Sequence, residues 1–240
     1  TRSLDLHQRQ PQPLPELGIQ LWIFEENINH NQSHWHALRL LPAKHDSDYR
    51  GKPMLQLVME ALGQSGIEKA ILSMKSDEQA SEILGKLPCE GVTAGLRRVG
   101  VDGVPFQIIV DEEVNREGNS AVRGMSGAVS LARNQGWDSI QMVPCDLPFL
   151  DPRLPALLYS KMAAGQNCAV ARSKTGLEPL LFCAKTETLD AALDDMGDAA
   201  HQVIAKMGAV EVGPDEWVAA GISERCFTNV NTKEDLESIN

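Results

Sequence analysis

The chain has 240 residues, of which 42% are apolar and 23% charged, enough to bury the core of one large α/β domain. A formal net charge of -11 opposes broad contact with nucleic acids or anionic membrane surfaces, whose phosphates it would repel, while leaving room for a small polyphosphate held by local positive charge or a metal. No apolar run approaches the roughly 20 residues that cross a bilayer. The five cysteines, Cys89, Cys145, Cys168, Cys183 and Cys226, are widely spaced, odd in number and without a C-x-x-C pair, which reads as reduced thiols in a cytoplasmic protein.

Residues 1–17, rich in Pro and Gln, read as a flexible lead-in without the apolar stretch of a signal peptide, and residues 18–240 as a single domain. Gly18 to Phe24 reads as a first buried strand and Glu25 to Arg50 as a long polar loop holding a short apolar island, Leu38 to Leu41. Pro53 opens a helix in which Met54, Leu55, Leu57, Val58, Ala61 and Leu62 recur at helical spacing. Ile67 to Met74 predicts a strand, Asp77 to Leu87 a helix, and Phe106 to Val110 a strand that ends at Asp111. Glu112 to Arg123 reads as a Gly-containing loop, from which Gly124-Met125-Ser126-Gly127 leads into a helix. Ser139 to Val143 predicts a strand, Pro152 to Ala164 a helix, and Asn167 to Ala171 and Leu180 to Ala184 further strands. Helices follow over Thr186 to Met196 and Ala199 to Met207, then strands over Ala209 to Val212 and Cys226 to Asn229, and a closing helix over Lys233 to Ile239. This alternation is that of a doubly wound, mostly parallel sheet with helices on both faces, in which ligands sit beyond the carboxyl ends of the strands.

Strand-end residues therefore carry the chemistry. Asp146 follows the apolar strand Ile140 to Val143 within Pro144-Cys145-Asp146-Leu147-Pro148. Two readings stand for it: the cap of the following turn, or a ligand of a hard divalent cation such as Mg²⁺ that bridges phosphate oxygens. Near the C-terminus, Asn229 and Asn231 flank one residue, which on a strand places both side chains on one face.

The segment Val143 to Leu150 resembles the metal-binding segment of the molybdenum cofactor guanylyltransferases and their wider nucleotidyltransferase superfamily. Phe227-Thr228-Asn229-Val230-Asn231-Thr232-Lys233-Glu234-Asp235-Leu236 is similar to that family's closing F-x-N-x-N-T-P-E-D-L. Ile109-Val110-Asp111 with Gly124 to Gly127 is similar to its D…G-P-L-A-G segment, and Arg50-Gly51-Lys52-Pro53-Met54-Leu55 to its G-K-P-L. The resemblance implies a Rossmann-like nucleotidyltransferase that moves GMP from GTP to molybdopterin. It implies Mg²⁺ at Asp146, and substrate contacts from Asp111, Gly124, Gly127, Asn229 and Asn231. Arg123 and Lys52, with Arg50, are the basic candidates beside the cleft, each weighed against an ordinary surface ion pair. The implied ligands are GTP and molybdopterin, and the implied partner is one in molybdoenzyme maturation.

The chain departs from the family after its first strand. Where the family carries a loop like L-A-G-G-x-S-x-R-M-G-x-D-K, residues 22–36 contain no Gly, Lys or Arg and place Glu25-Glu26 where phosphate would lie. His30, His34 and His36 read as a solvated loop in preference to a transition-metal site. Three functions follow: a nucleotidyltransferase acting on the molybdenum cofactor, a relative that has lost turnover and binds the molybdenum cofactor as a carrier, regulator or scaffold, or a relative that acts on a different nucleotide or sugar phosphate, with the tail motif favouring the molybdenum cofactor branch.

Overall fold

The computed structural model describes residues 18–22, 48–49, 51–65, 69–74, 81, 98–101, 104–110, 120–193, 199–230 and 235. The lead-in, most of the 25–50 loop with its apolar island and His cluster, and the predicted helices over Asp77 to Leu87 and Lys233 to Ile239, apart from Ser81 and Asp235, lie outside them.

Ten strands are described: β1 (Gly18–Trp22), β2 (Asp48–Tyr49), β3 (Lys52–Pro53), β4 (Lys69–Met74), β5 (Arg98–Val101), β6 (Val104–Val110), β7 (Ser139–Pro144), β8 (Cys168–Arg172), β9 (Leu177–Lys185) and β10 (Val210–Val212). The helices are α1 (Met54–Gln64), α2 (Ser120–Gln135), α3 (Arg153–Ala163), α4 (Thr186–Ala192), α5 (Ala200–Lys206) and α6 (Pro214–Ala219), with a 3-10 turn over Glu224–Phe227. Eight strands form one sheet in the spatial order β10-β8-β9-β7-β1-β4-β6-β5. β7, β1, β4 and β6 pair in parallel, as do β8 and β10; β9 runs antiparallel to both its neighbours, and β5 folds back on β6.

The strands separate two cores. Ile140 and Met142 of β7, Cys168 and Val170 of β8, and Phe182 and Ala184 of β9 face α2, α4 and α5. Their alternating neighbours, Val143, Ala169, Ala171, Leu181 and Cys183, face α1, α3 and α6. Period-two side chains thus feed a helix layer on each face, as a doubly wound sheet requires. α1 buries Leu55, Val58, Met59 and Leu62, a stripe at helical spacing. Each such side chain contributes on the order of 2 kcal/mol by leaving water.

Three expectations are corrected. Cys226 to Asn229 is not a strand: Glu224–Phe227 form a 3-10 turn capped by the Ser223 hydroxyl, which accepts from the Arg225 amide at 3.3 Å. Adjacent Cys226 and Phe227 are both buried, which an alternating strand on a solvated edge would not allow. Second, the predicted loop up to Arg123 ends earlier. α2 begins at Ser120, because Val122, Met125, Val129 and Ala132 already form its buried stripe, so Arg123, Gly124 and Gly127 are helical residues. Third, Pro53 caps α1 from the extended region (φ -54°, ψ 138°) and so precedes the first helical residue.

Candidate active site

The chain runs from β1 to β4 and β6 on one side, then returns to β7 on the other side of β1. The β1–β7 boundary is therefore the switch point of the sheet, where diverging connections leave a crevice at the carboxyl ends. Trp22 ends β1 opposite Pro144 of β7 and Ser73 of β4, and Met74 ends β4 opposite Val110 of β6. Asp146 lies two residues beyond Pro144, at this crevice. Its carboxylate oxygen Oδ1 is sealed from solvent, although the residue as a whole is half-buried.

The loop that carries Asp146 is held by the C-terminal segment. The Val230 amide donates to the Asp146 carbonyl at 3.0 Å. The Asp151 amide donates to Cys226 Sγ at 3.2 Å, and burial pushes that thiol up to about 12, so it stays protonated. Arg153 pairs with Asp151 (Nη2–Oδ2 2.6 Å) and donates to the carbonyls of Ala220 at 3.0 Å and Gly221 at 2.7 Å. Its side-chain bond holds the Asp151 carboxyl below its ordinary 3.8.

The structure thus brings the two specific parts of the sequence signal together. Asn229 is exposed beside Val230, and Val230 is bonded to the main chain of Asp146. Asn231 follows Val230 but lies outside the described residues, as does Asp111, the residue after Val110. Gly124 is buried in α2, with Arg123 and Gly127 half-buried beside it; as helical residues they offer no glycine loop. Lys52 stands on β3 with its ammonium on both carboxylate oxygens of Glu60, at 2.8 and 2.9 Å.

Side chains to which the sequence assigns no role in the site complete its wall. Phe149 meets Tyr49 edge to face, with ring centroids 5.1 Å apart, and Tyr49, Met54 and Val230 form a small core with Phe149 and Leu57 packed on it. The Arg225 guanidinium lies 4.0 Å over the Phe149 ring and donates to Tyr49 Oη at 3.2 Å. On the far side of β7, Glu178 near the start of β9 is half-buried at the same sheet edge. Burial raises its carboxyl, opposed by a bond from the buried Ser173 hydroxyl.

Among the described residues there is no group of three or more His, Cys, Asp or Glu that could hold a metal. Asp146 and the Asn amides offer oxygen donors only. That set suits a hard cation which takes a carboxylate from the protein and its remaining ligands from phosphate and water, as Mg²⁺ does.

A family model of the MobA-like NTP transferase domain matches residues 38–211. No curated protein matches the chain. Among solved structures, molybdopterin-guanine dinucleotide biosynthesis protein A from Archaeoglobus fulgidus is 15% identical, covers 92% of this chain and 95% of its own, and superposes with a TM-score of 0.59. The 4-diphosphocytidyl-2C-methyl-D-erythritol synthase of Anaerococcus prevotii is 9% identical over 92% of this chain and 94% of its own, with a TM-score of 0.57. Rv0371c of Mycobacterium tuberculosis, in complex with manganese, is 17% identical over 82% of this chain and 87% of its own, at 0.52. At these identities the likeness is one of fold: a Rossmann-like nucleotidyltransferase sheet. Among the described residues no helix is long and apolar enough to cross a membrane.

Proposed function

We propose that this chain, which belongs to the MobA-like NTP transferase family, transfers GMP from GTP to molybdopterin. A phosphate oxygen of molybdopterin attacks the α-phosphorus of GTP, the new P–O bond forms, the bond to the β-phosphate oxygen breaks, and pyrophosphate leaves. Positioning and charge neutralisation are the protein's share of such a reaction. The observation that carries the reading is the bond from Val230 to Asp146, which joins the Asn-Val-Asn tail to the strand-end carboxylate at the sheet's switch point.

Asp146 is the residue assigned to Mg²⁺, which when bound neutralises phosphate charge. Asn229, Asn231 and Asp111 are assigned to the pterin phosphate and the metal's surroundings, and Gly124, Gly127 and Arg123 to the cleft border. The tail motif favours molybdopterin as acceptor, as does the likeness in fold to the molybdopterin-guanine dinucleotide biosynthesis protein of Archaeoglobus fulgidus. The manganese of another relative supports a divalent cation. We place the reaction in the cytoplasm because Cys145, Cys168, Cys183 and Cys226 are buried free thiols. The reading includes no nucleic-acid or membrane partner, in line with the net charge of -11.

Lys52 bears on a second reading. Its charge is matched by Glu60, and Glu25-Glu26 add negative charge after β1. Both favour a relative that binds the molybdenum cofactor without turnover, as a carrier or as a partner in molybdoenzyme maturation.

The deciding experiment titrates the protein calorimetrically with GTP, CTP and ATP, with and without Mg²⁺, and follows pyrophosphate release with molybdopterin present. Mg²⁺-dependent binding that prefers GTP, with release abolished in Asp146→Asn, is expected. Losing one such electrostatic group costs about 10²–10³-fold in rate. Undiminished release in Asp146→Asn would remove the metal assignment. Pterin binding with no nucleotide binding would establish the second reading.

A further inference from the structure

The β2–β3 hairpin that presents Lys52 is too small to hold its own place. Its ladder is two residues long, pairing Asp48 with Pro53 and Tyr49 with Lys52. Even a longer isolated hairpin is marginal in water. Its position must therefore come from what it touches. Tyr49 is buried, with its ring edge to face on Phe149. Phe149 lies three residues past Asp146, in the segment that leaves the switch point. Arg225 spans both: its guanidinium covers the Phe149 ring at 4.0 Å while Nη2 reaches Tyr49 Oη at 3.2 Å. Arg225 also stands in the capped 3-10 turn, five residues before the Val230 amide that bonds Asp146. Lys174 pairs with Glu224, tying the same turn to the β8–β9 connection at the sheet's carboxyl edge.

We propose that Arg225 is a positioning residue: it clasps the Lys52 hairpin onto the Asp146 loop and so fixes one wall of the cleft. The inference rests on reading the Asp146 crevice as the reactive site. A planar guanidinium suits the task because it stacks on one ring while its in-plane N–H groups reach a second; a Lys ammonium can cover the ring but cannot hold both contacts in a fixed plane. The wall matters to the chemistry because a displacement of about 1 Å can cost around 10²-fold in rate even when ligand affinity survives.

The test uses the full chain with Arg225→Gln, Arg225→Lys, Tyr49→Phe and the double variant Tyr49→Phe/Arg225→Gln. Amide exchange is followed at Tyr49 and Lys52, with Val143 and Ala169 as core references, beside kcat and KM for Mg²⁺-dependent pyrophosphate release from GTP with molybdopterin. Arg225→Gln is expected to speed hairpin exchange about 5- to 10-fold, the scale of one cation–π contact and one hydrogen bond, while core exchange speeds by no more than that factor. In the same variant kcat should fall at least about 10-fold with KM for GTP within about 3-fold. Arg225→Lys should recover part of kcat, and adding Tyr49→Phe to Arg225→Gln should cost less than the two single losses combined, since both break one contact. Hairpin exchange in Arg225→Gln equal to wild type overturns the clasp. Faster hairpin exchange with kcat unchanged overturns its positioning role. If the wild type releases no pyrophosphate, the transfer reading fails on its own, and the exchange result alone decides the clasp.

Discussion

At the level of single residues, the crevice is bordered by two carboxyl groups in different surroundings. Asp146 is set by β7 and by the tail that bonds its carbonyl. Glu178 stands on the next strand, where burial raises its carboxyl above the ordinary 4.5. A folded-state value above the unfolded one means that the fold prefers the protonated form. The stability contributed is then full below 4.5 and is lost as pH rises through the folded value. Glu178→Gln keeps an oxygen for the Ser173 hydroxyl and removes the charge. The variant should therefore match wild type in urea midpoint at pH 4.5 and exceed it at pH 7.5; equal differences at both pH values would refute the assignment. Asp146 was legible in the sequence because an Asp directly after an apolar run is placed by the strand itself. Arg225 was not, because its meaning depends on Tyr49, 176 residues away. Glu178 was not, because it lies just before the predicted strand Leu180 to Ala184 and only the observed β9, which begins at Leu177, brings it to the crevice edge.

The elements that sequence reasoning found are those whose apolar pattern is continuous. β7 and β8, buried on both faces, show as short apolar runs, and α1 as a stripe at helical spacing. α2 was started late because Gly118 and Gly124 read as loop punctuation, although the buried stripe begins at Val122. α6 was missed although its start is written in Gly213-Pro214-Asp215-Glu216: Pro takes the first helical position and Glu216 accepts from the Gly213 amide at 3.1 Å. The tail was misread because Cys-Phe-Thr-Asn has strand-like composition, while the chain turns there under the Ser223 cap. The β2–β3 hairpin, two residues a strand, lies below what periodicity detects. Its turn needs Gly51, at φ 80°, a conformation that costs an L side chain on the order of 1–2 kcal/mol. A Cβ there would meet nothing within 4 Å, so Gly51→Ala carries the backbone cost without a clash. Faster amide exchange at Tyr49 and Lys52, with a urea midpoint lowered to match that cost, is the expected outcome, because the open hairpin and the unfolded chain are both relieved of the strain. Exchange and midpoint both equal to wild type would show that the turn does not need glycine at position 51.

Across the whole molecule, the cysteines report how the layers hold together. Cys145, Cys183 and Cys226 belong to the core under α1, α3 and α6, and Cys168 to the core on the opposite face. Burial pushes Cys168 and Cys226 up to about 12 and Cys183 higher still. The thiolate is the reactive form, so at pH 8 its fraction in Cys168 and Cys226 is on the order of 10⁻⁴, and the sulfurs are enclosed as well. In native buffer iodoacetamide should therefore label none of these four; any fast label should fall on Cys89, outside the described residues, and vanish in Cys89→Ser. In rising urea the four become reporters on both faces of one sheet. β7, β8 and β9 give alternate side chains to each core, so neither face can open without breaking strands that the other shares. Cys168 should accordingly gain reactivity over the same urea range as Cys145, Cys183 and Cys226, as in a two-state transition. Labelling of Cys168 at clearly lower urea than the other three would mean that the α2, α4 and α5 layer peels from the sheet as a separate unit, with the crevice at Asp146 still walled by the layer that remains.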